Sequence, residues 1–332
     1  MSLKIAINGF GRIGRGILRA LIETGNRDVE LVAVNDLAAN EALVNLLKYD
    51  SVHGRLNADV SLADGVLSVD GRSIRMSTER NPADLNWAGV DIAFECTGKF
   101  KARDQAALHL QNGSRKVLIS APGKGADRTV VYGVNHTELT DKDVIVSNAS
   151  CTTNCLAPVA MVLDREFGIE TGYMTTIHAY TASQPTLDTP IGDPYRARAA
   201  ALSMIPTTTG ATTALSLVLP QLEGRLEGSA VRVPTPNVSL VDLCFMPRRP
   251  TTVETVNAAM LASAKGELKG VLDYSEDPMV SIDFNHDPHS ASFAPAQTAI
   301  TAQGMVRVVA WYDNEWGFTN RMIDTARFIA DL

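Results

Sequence analysis

The sequence predicts an α/β protein made of two domains, the first with a parallel β-sheet and the second an α+β domain with a mostly antiparallel sheet. Two observations lead to this fold class. Short apolar runs alternate with helical patterns over the first half, and longer β-rich runs follow residue 150. At roughly 150 residues per domain, the 332 residues of the chain accommodate both domains.

The composition is that of an ordinary globular protein. Hydrophobic residues make up 45% and charged residues 20% of the chain, which argues against disorder. The net charge of −7 offers no general attraction to nucleic acid, and no apolar run reaches the ~18 residues of a membrane span. Four cysteines are too few for a disulfide scaffold, and a strand begins too early for a signal peptide. We therefore expect a cytoplasmic protein.

The expected parallel strands of the first domain are short apolar runs. They are Lys4–Asn8, Glu30–Asn35, Asp91–Cys96, Lys116–Ser120 and Asp143–Ser147. Between the first two, apolar residues recur at helical spacing, and Gly25 supplies a C-terminal stop. A strand, a helix and a strand at this spacing predict a βαβ unit with a right-handed crossover.

Longer extended runs characterise the chain beyond residue 150. A helix is predicted after Ser150, and the predicted strands are Gly172–Tyr180, Ser229–Val233, Val238–Met246 and Met305–Tyr312. Residues 181–205 lack periodicity and form a long connection, which in a compact domain is usually functional. A final helix has one apolar face, formed by Phe318, Met322, Ile323, Ala326 and Ile329.

A glycine-rich turn joins the first strand to the first helix. Gly9 permits a tight turn, Gly11 lets the backbone approach a pyrophosphate, and Gly14 allows close helix–strand contact. Asp36 ends the second strand, where a carboxylate bonds a ribose hydroxyl and would repel a 2′-phosphate. A glycine-rich turn with an Asp helix cap is the alternative. The combination of a strand, a glycine-rich turn, a helix and the acidic Asp36 favours a Rossmann-type domain that binds NAD.

Cys151 lies where the last strand of the first domain gives way to a helix. A helix start stabilises a thiolate, which predicts a lowered pKa for this thiol. His178 comes from an apolar extended stretch and is the candidate base, with a satisfied core histidine as the alternative. The other five histidines are expected to be solvated, and Cys155 to be a packing residue. The spacings predict no metal site.

Hydroxyl groups and arginines cluster in the second half of the chain. They are Ser150 and Thr152 beside the thiol, Thr181, Arg196 and Arg198 in the long connection, Thr209 and Gly210 in a polar turn, and Arg232 in an apolar strand. Each alone is typical of a surface turn or a structural salt bridge. Together with a thiol and a dinucleotide site, they indicate a substrate that carries phosphate.

Six motifs stand in order along nearly the whole chain. They are Ala6–Arg15, Ser147–Cys155, His178–Thr181, Ile205–Ala211, Arg232–Ser239 and Trp311–Gly317. In this order they resemble the motifs of phosphorylating glyceraldehyde-3-phosphate dehydrogenases, and the cysteine motif is highly specific. The resemblance implies NAD-dependent oxidation of a phosphorylated aldehyde with uptake of inorganic phosphate. It also implies an NAD-binding domain of residues 1–150 plus 315–332, a catalytic domain of residues 151–314, and a homotetramer.

The resemblance further implies roles for individual residues. Cys151 would be the nucleophile and His178 the base, while Thr181 and Arg232 would bind the substrate's own phosphate. Residues that match the positions for the attacking inorganic phosphate, or for the substrate phosphate before transfer, are Ser150, Thr152, Arg196, Thr209 and Gly210. Residues that match cofactor positions are Gly9, Phe10, Gly11, Arg12, Ile13, Gly14, Asp36, Arg80, Thr97, Ser120 and Asn314, the last of which would hold the nicotinamide amide.

Some positions depart from the family pattern. Ser183 stands where the family usually has an acidic residue, and Phe318 replaces a usual tyrosine. Thr189 and Pro190 stand where NAD-specific members have a Leu-Pro pair near the adenosine ribose of a neighbouring subunit. Pro190 together with Asp36 still indicates NAD.

Three other functions fit part of the pattern. Erythrose-4-phosphate dehydrogenase is a sibling with similar site residues, but its members generally lack the Tyr-Thr after His-Ala and the Thr-Thr-Gly-Ala turn, both present here. A Cys–His hydrolase would use the same pair of side chains, with no need of a dinucleotide motif. A non-enzymatic NAD-binding interaction protein would need no reactive thiol.

Overall fold

The computed structural model describes residues 2–332, which form two compact units. The first unit comprises residues 2–132, 136–149 and 319–332, and the second comprises residues 133–135 and 150–318. These units are defined by packing. The division of function between residues 1–150 plus 315–332 and residues 151–314 stays a prediction.

The first unit is built on a twisted sheet flanked by helices. Its strands are β1 (Leu3–Asn8), β2 (Val29–Asn35), β3 (Tyr49–Asp50), β4 (Gly54–Arg55), β5 (Val60–Ala63), β6 (Val66–Val69), β7 (Arg72–Ser77), β8 (Ile92–Glu95), β9 (Lys116–Ile119), β10 (Arg128–Thr129) and β11 (Ile145–Ser147). Its helices are α1 (Arg12–Glu23), α2 (Asn40–Lys48), α3 (Arg103–Ala106) and α4 (Leu108–Gln111).

The sheet order is β10-β11-β9-β8-β1-β2-β7-β6-β5. All five strands predicted from the sequence lie in it and pair in parallel, which confirms the predicted fold class of this part of the chain. The helix predicted between the first two strands is α1, and its residues Ile17, Leu18 and Leu21 are buried. Apolar burial on both faces is what a parallel sheet requires.

Strands β5–β7 extend the sheet as a meander that was not predicted from the sequence. Its two turns are Asp64–Gly65 and Asp70–Gly71, and all four residues have positive φ. Asp-Gly pairs suit such turns because glycine, and to a lesser degree aspartate, tolerates the left-handed region. The meander was therefore readable from the sequence as two Asp-Gly hairpins.

The second unit is an α+β structure. Its strands are β12 (Ile169–Ala179), β13 (Ile205–Thr208), β14 (Leu226–Val233), β15 (Ser239–Pro247), β16 (Leu272–Tyr274), β17 (Ala291–Phe293), β18 (Ala299–Ile300) and β19 (Val306–Tyr312). Its helices are α5 (Cys151–Phe167), α6 (Ala211–Val218) and α7 (Val253–Lys265). The last helix, α8 (Trp316–Ala330), starts in this unit and continues in the first.

The sheet of the second unit is mixed, with the order β13-β14-β12-β15-β19-β17-β16. Most neighbours are antiparallel, as predicted, but β12 runs parallel to β14 and β16 runs parallel to β17. Helix α5 packs on β19, β15 and β17, and residues 181–204 form the long connection without regular structure. Within residues 2–332, no helix has both the length and the apolar character needed to cross a bilayer.

Candidate active site

The glycine-rich turn at the carboxyl end of β1 has the geometry of a dinucleotide cradle. Gly9 has φ +95°, and a Cβ built there would lie 2.6 Å from the backbone nitrogen of Thr97. Any side chain at this position would therefore collide with backbone. The N-cap of α1 is Gly11, without a side-chain cap, so the start of the helix is open to an anion.

A cavity of about 340 Å³ lies beside this turn within the first unit. Five of the predicted cofactor residues line it, namely Gly9, Gly11, Asp36, Arg80 and Thr97. Asp36 also supports the turn, because its Oδ2 accepts the Phe10 N–H at 2.7 Å. The cavity is concave, is lined by glycine backbone, and has a carboxylate at the end of β2. These features fit a dinucleotide.

The remaining predicted cofactor residues of the first unit do not line this cavity. Arg12 donates to Asp50, and although burial opposes ionisation, the bonds from Arg12, His53 and Val52 lower the pKa of Asp50 to about 2. Ser120 Oγ donates to the Glu95 carbonyl at 3.1 Å. Ile13 is half-buried, and Gly14 packs against the carbonyl of Gly9.

Cys151 is the first residue of α5, as predicted. Ser150 caps the helix, its Oγ accepting the Thr153 N–H at 3.1 Å. Ala149 before it has φ +56°, an uncommon conformation for a residue with a side chain. This turn sets the thiol at the helix N-terminus.

The structure brings the predicted base to the predicted nucleophile. His178 lies near the end of β12, and its Nε2 is 3.6 Å from Cys151 Sγ. In the parallel pairing of β12 with β14, His178 is the direct partner of Arg232. Strand register therefore explains why an arginine interrupts this apolar strand, and it places a cation beside the Cys–His pair.

Arg232 selects the tautomer of His178. Its Nη1 lies 2.6 Å from His178 Nδ1 and 2.9 Å from the Ala179 carbonyl oxygen. Because arginine can only donate, His178 Nδ1 must accept this hydrogen bond. Nδ1 therefore carries no proton, and its 2.6 Å separation from the Ala179 oxygen is a close contact and not a hydrogen bond. The ring proton lies on Nε2, which faces the sulfur.

Charge states in the site differ from the sequence expectation. Burial raises the pKa of the Cys151 thiol, against the opposing effects of Arg232 and Thr152. Burial, and then the charge of Arg232, lowers the pKa of His178 to about 3. The prediction of a lowered thiol pKa is therefore wrong for this arrangement, because exclusion of water outweighs the helix start. The pair rests as neutral thiol and neutral imidazole.

Two arginines, Arg196 and Arg232, lie where the sequence predicts an anion site. Arg196 Nη2 donates to Ser183 Oγ at 2.8 Å, and Ser183 lies 3.0 Å from Thr181 Oγ1. Burial lowers the pKa of Arg232, and the nearby charge of Arg196 acts in the same direction. Within residues 2–332, the buried Nε atoms of both arginines lack a hydrogen-bond partner. Two adjacent guanidinium groups with unused donors fit a phosphate.

Arg198, the other arginine of the sequence cluster, lies apart from this arrangement. Its Nε donates to Asp188 at 2.8 Å, and both side chains are exposed. It therefore forms an ordinary surface ion pair.

Of the residues predicted to bind an anion, some lie in a partly exposed turn and one is buried. Thr209 Oγ1 accepts the Ala211 N–H at 3.2 Å, and Gly210 is the N-cap of α6, which leaves both in a partly exposed turn. Thr152 is buried, and its Oγ1 lies 2.9 Å from the Tyr312 hydroxyl. Its role at the anion site stays a prediction.

Three further side chains organise the site and were not singled out from the sequence. Tyr312 joins Thr152 to Thr176, each at 2.9 Å, and burial raises its pKa. Ser239 Oγ accepts the Ala179 N–H at 3.0 Å and donates to Asn314 Oδ1 at 2.8 Å. The Asn314 amide is thereby oriented by the strand end that carries the base. The available signal was that Tyr312 and Ser239 lie inside two of the six motifs, and Thr176 in the predicted strand that carries His178.

Comparison with known proteins agrees with this geometry. Residues 3–103 match the profile of the glyceraldehyde 3-phosphate dehydrogenase NAD binding domain, and residues 150–314 match that of the glyceraldehyde 3-phosphate dehydrogenase C-terminal domain. A glyceraldehyde-3-phosphate dehydrogenase from Cereibacter sphaeroides is 61% identical over 326 residues, which is 98% of each chain.

Two other relatives with the same name are similar over nearly the whole chain. The protein from Xanthobacter flavus is 58% identical over 98% of each chain. The protein from Geobacillus stearothermophilus is 54% identical over 99% of each chain. The chain therefore belongs to the glyceraldehyde-3-phosphate dehydrogenase family.

Proposed function

We propose that the protein oxidises D-glyceraldehyde 3-phosphate with NAD and inorganic phosphate to 1,3-bisphosphoglycerate. The observation that carries the proposal is the 3.6 Å approach of Cys151 Sγ to His178 Nε2, with Arg232 bonded to the same imidazole. A thiol, a base and a phosphate-binding cation within one cluster are what a phosphorylating aldehyde oxidation requires.

The Cys151 thiol forms the covalent bond to substrate. With the ring proton on Nδ1, the thiol proton passes to His178 Nε2, the sulfur adds to the aldehyde carbon, and the new alkoxide takes that proton to give a thiohemiacetal. The backbone N–H of Cys151 would stabilise the developing oxyanion. His178 then removes the hydroxyl proton as the carbon is oxidised to a thioester. A phosphate oxygen attacks this carbon, the C–S bond breaks, and the thiolate departs.

Substrate binding would prepare His178 for this work. When the substrate's phosphate engages Arg232, the guanidinium no longer donates to Nδ1. The ring proton can then occupy Nδ1 and donate to the Ala179 oxygen, 2.6 Å away. Nε2 is left with a lone pair toward the thiol. The negative charge of the phosphate also offsets that of the guanidinium, which raises the pKa of the imidazole and strengthens it as a base.

Thr181 and Arg232 would bind the substrate's own phosphate. Arg196 would share in binding the attacking phosphate with a second group of residues, namely Ser150, Thr152, Thr209 and Gly210. Ser183 supports this division, because a neutral hydroxyl in place of the family's acidic residue leaves the charge of Arg196 uncompensated.

The first unit would bind NAD through the residues around its glycine turn. NAD, when bound, accepts the two electrons that leave the substrate carbon with their hydrogen. Gly9, Gly11 and the start of α1 would receive the pyrophosphate, and Asp36 the ribose. Asn314 Nδ2 would donate to the carboxamide oxygen of the nicotinamide, since Ser239 already donates to its Oδ1.

Turnover with two aldehydes tests the proposed function. We expect NADH formation from glyceraldehyde 3-phosphate to depend on inorganic phosphate and to exceed that from erythrose 4-phosphate. Preference for erythrose 4-phosphate would favour the sibling dehydrogenase. Hydrolysis of an ester substrate without NADH formation would indicate a Cys–His hydrolase. NAD binding with no turnover of either aldehyde would indicate an interaction protein.

Asp36→Ala is expected to weaken cofactor discrimination. In the wild type, repulsion between this carboxylate and a 2′-phosphate should favour NAD over NADP by about 100-fold in kcat/KM. The variant should narrow that ratio, mainly by lowering KM for NADP. Steady-state kinetics with both cofactors checks this, with Asp28→Ala as the exposed control. An unchanged ratio would remove Asp36 from the ribose site.

The long connection supports a homotetramer. Its side chains Leu187, Tyr195, Leu202 and Met204 are strongly exposed, which is typical of a surface that a second copy covers. Light scattering measures the native mass, and a monomer would contradict the proposal. A catalytic thiol must stay reduced, so we also propose a cytoplasmic location, which fractionation tests.

A further inference from the structure

A buried carboxylate in the first unit has no part in the chemistry described so far. Glu95 ends β8 and is 1% exposed. Its Oε2 accepts from Asn8 Nδ2 at 2.7 Å and faces His109 Nε2 at 2.9 Å. Its Oε1 accepts the Thr97 N–H at 2.9 Å and also the Thr97 hydroxyl.

His109 is a neutral donor to this carboxylate. Trp87 Nε1 donates to His109 Nδ1 at 2.8 Å, so Nδ1 accepts and the ring proton lies on Nε2, toward Glu95. His109 is fully buried, and the expectation of a solvated side chain was wrong. If both ring nitrogens of His109 carried protons, the N–H groups of Trp87 Nε1 and His109 Nδ1 would point at each other. The Glu95 charge is therefore balanced by hydrogen bonds and not by a cation.

The hydrogen bonds continue from Glu95 across the carboxyl ends of the neighbouring strands. Asn35 Nδ2 donates to Asn8 Oδ1 at 2.8 Å, which joins the end of β1 to the end of β2. Asn35 also accepts the Glu79 N–H and donates to the Glu79 carbonyl, each at 2.8 Å. One connected network thus runs from β8 to the loop after β7.

Each segment that this network holds carries a proposed cofactor contact. Thr97 is bonded directly, Gly9 follows Asn8, Asp36 follows Asn35, and Arg80 follows Glu79. All four line the cavity beside the glycine turn. We propose that Glu95 is a positioning residue that arranges these four segments for the dinucleotide. The inference rests on the proposed binding of NAD by the first unit.

The charge of Glu95 is what the network requires. A carboxylate accepts on both oxygens, whereas the amide of a glutamine has one accepting oxygen and one NH2 group. In Glu95→Gln the NH2 group would face either the Thr97 donors or those of Asn8 and His109. One side of the network must open, although the side chain keeps its volume.

Calorimetric titration of NAD into the full-length Glu95→Gln variant tests the proposal. We expect the dissociation constant to rise by about 10-fold or more. KM for NAD should rise in parallel, while kcat at saturating NAD and the alkylation rate of Cys151 stay near the wild-type values. Thr97→Ala should raise the dissociation constant too, and the double variant should show less than the product of the two effects.

Ser114→Ala is the matched control. Ser114 is buried in the same unit, accepting the Ala93 N–H at 2.9 Å, but lies before β9 and thus at the opposite edge of the sheet. It should lower the melting temperature and leave NAD affinity intact. If Glu95→Gln and Ser114→Ala lower the melting temperature equally and also weaken NAD binding equally, Glu95 has only a structural role and the proposal is wrong.

A second pair of variants covers the case in which Glu95→Gln does not fold. His109→Gln keeps an acceptor for Trp87 and a donor for Glu95, whereas His109→Leu keeps neither. We expect the first to retain NAD affinity and the second to lose it; equal affinities would overturn the proposal. A wild type that fails to bind NAD would refute the proposed function itself, while tight binding by wild type and Glu95→Gln alike would refute only this inference.

Discussion

Cys151→Ser is expected to abolish oxidation of the aldehyde while NAD still binds. A serine hydroxyl in this position is far less nucleophilic than a thiol, so kcat should fall by about 10⁴-fold or more. NADH formation measures the loss, and calorimetry measures NAD binding. The glycine turn and Asp36 belong to the first unit, so the dissociation constant for NAD should change little.

Cys155→Ala provides the control for this substitution. Cys155 lies one turn later on α5, is fully buried, and burial raises its pKa well above the ordinary value. Its loss should leave kcat nearly unchanged and lower stability by about 1 kcal/mol. The assignment of Cys151 as the nucleophile would be contradicted if Cys151→Ser kept its activity, or if only Cys155→Ala lost it.

Arg232→Ala should raise KM for glyceraldehyde 3-phosphate by about 30-fold or more, the equivalent of ~2 kcal/mol for a lost charge-assisted contact. A second effect follows from its bond to His178. Without the guanidinium, one cause of the lowered imidazole pKa is removed, so the pKa of His178 should rise from about 3. Chemical shifts of the His178 ring, followed by NMR over a pH titration, report this rise independently of substrate.

Two other variants sharpen the assignment of Arg232. Arg198→Ala removes an exposed arginine of the same sequence cluster, paired with Asp188, and should leave KM unchanged. Arg232→Lys keeps a charge but loses the forked donors, so it should recover part of the affinity. A KM for the phosphorylated aldehyde that is unchanged in Arg232→Ala would exclude this residue from the substrate site.

Sequence patterns that involve only neighbouring residues predicted the strands, the glycine turn and the start of α5 well. The five apolar runs became neighbouring parallel strands, and the glycine turn followed the first of them as expected. Cys151 begins α5, because Ser150 is a good helix cap. Such features depend on residues within a few positions of each other, so local sequence contains their cause. The two Asp-Gly turns of β5–β7 were equally local and could have been found.

Features that depend on pairing between distant strands were not predictable. Residue pattern alone did not separate Arg196 from Arg198, although the family resemblance pointed to Arg196, and only folding brought the charge of Arg196 near Arg232. His109 looked like a surface residue, yet Trp87 and Glu95 meet it from other segments of the first unit. No periodicity in the sequence encodes such meetings.

The residue types of this protein determined its chemistry, and tertiary structure decided their charge states. The chain contains a thiol, an imidazole, two arginines and a glycine-rich turn, and the resemblance of its motifs to a known family implies aldehyde oxidation with phosphate. The register of β12 with β14 set Arg232 against His178, and burial then kept both thiol and imidazole neutral at rest. Protonation depends on the water and charge around a group, and the fold alone assembles those surroundings.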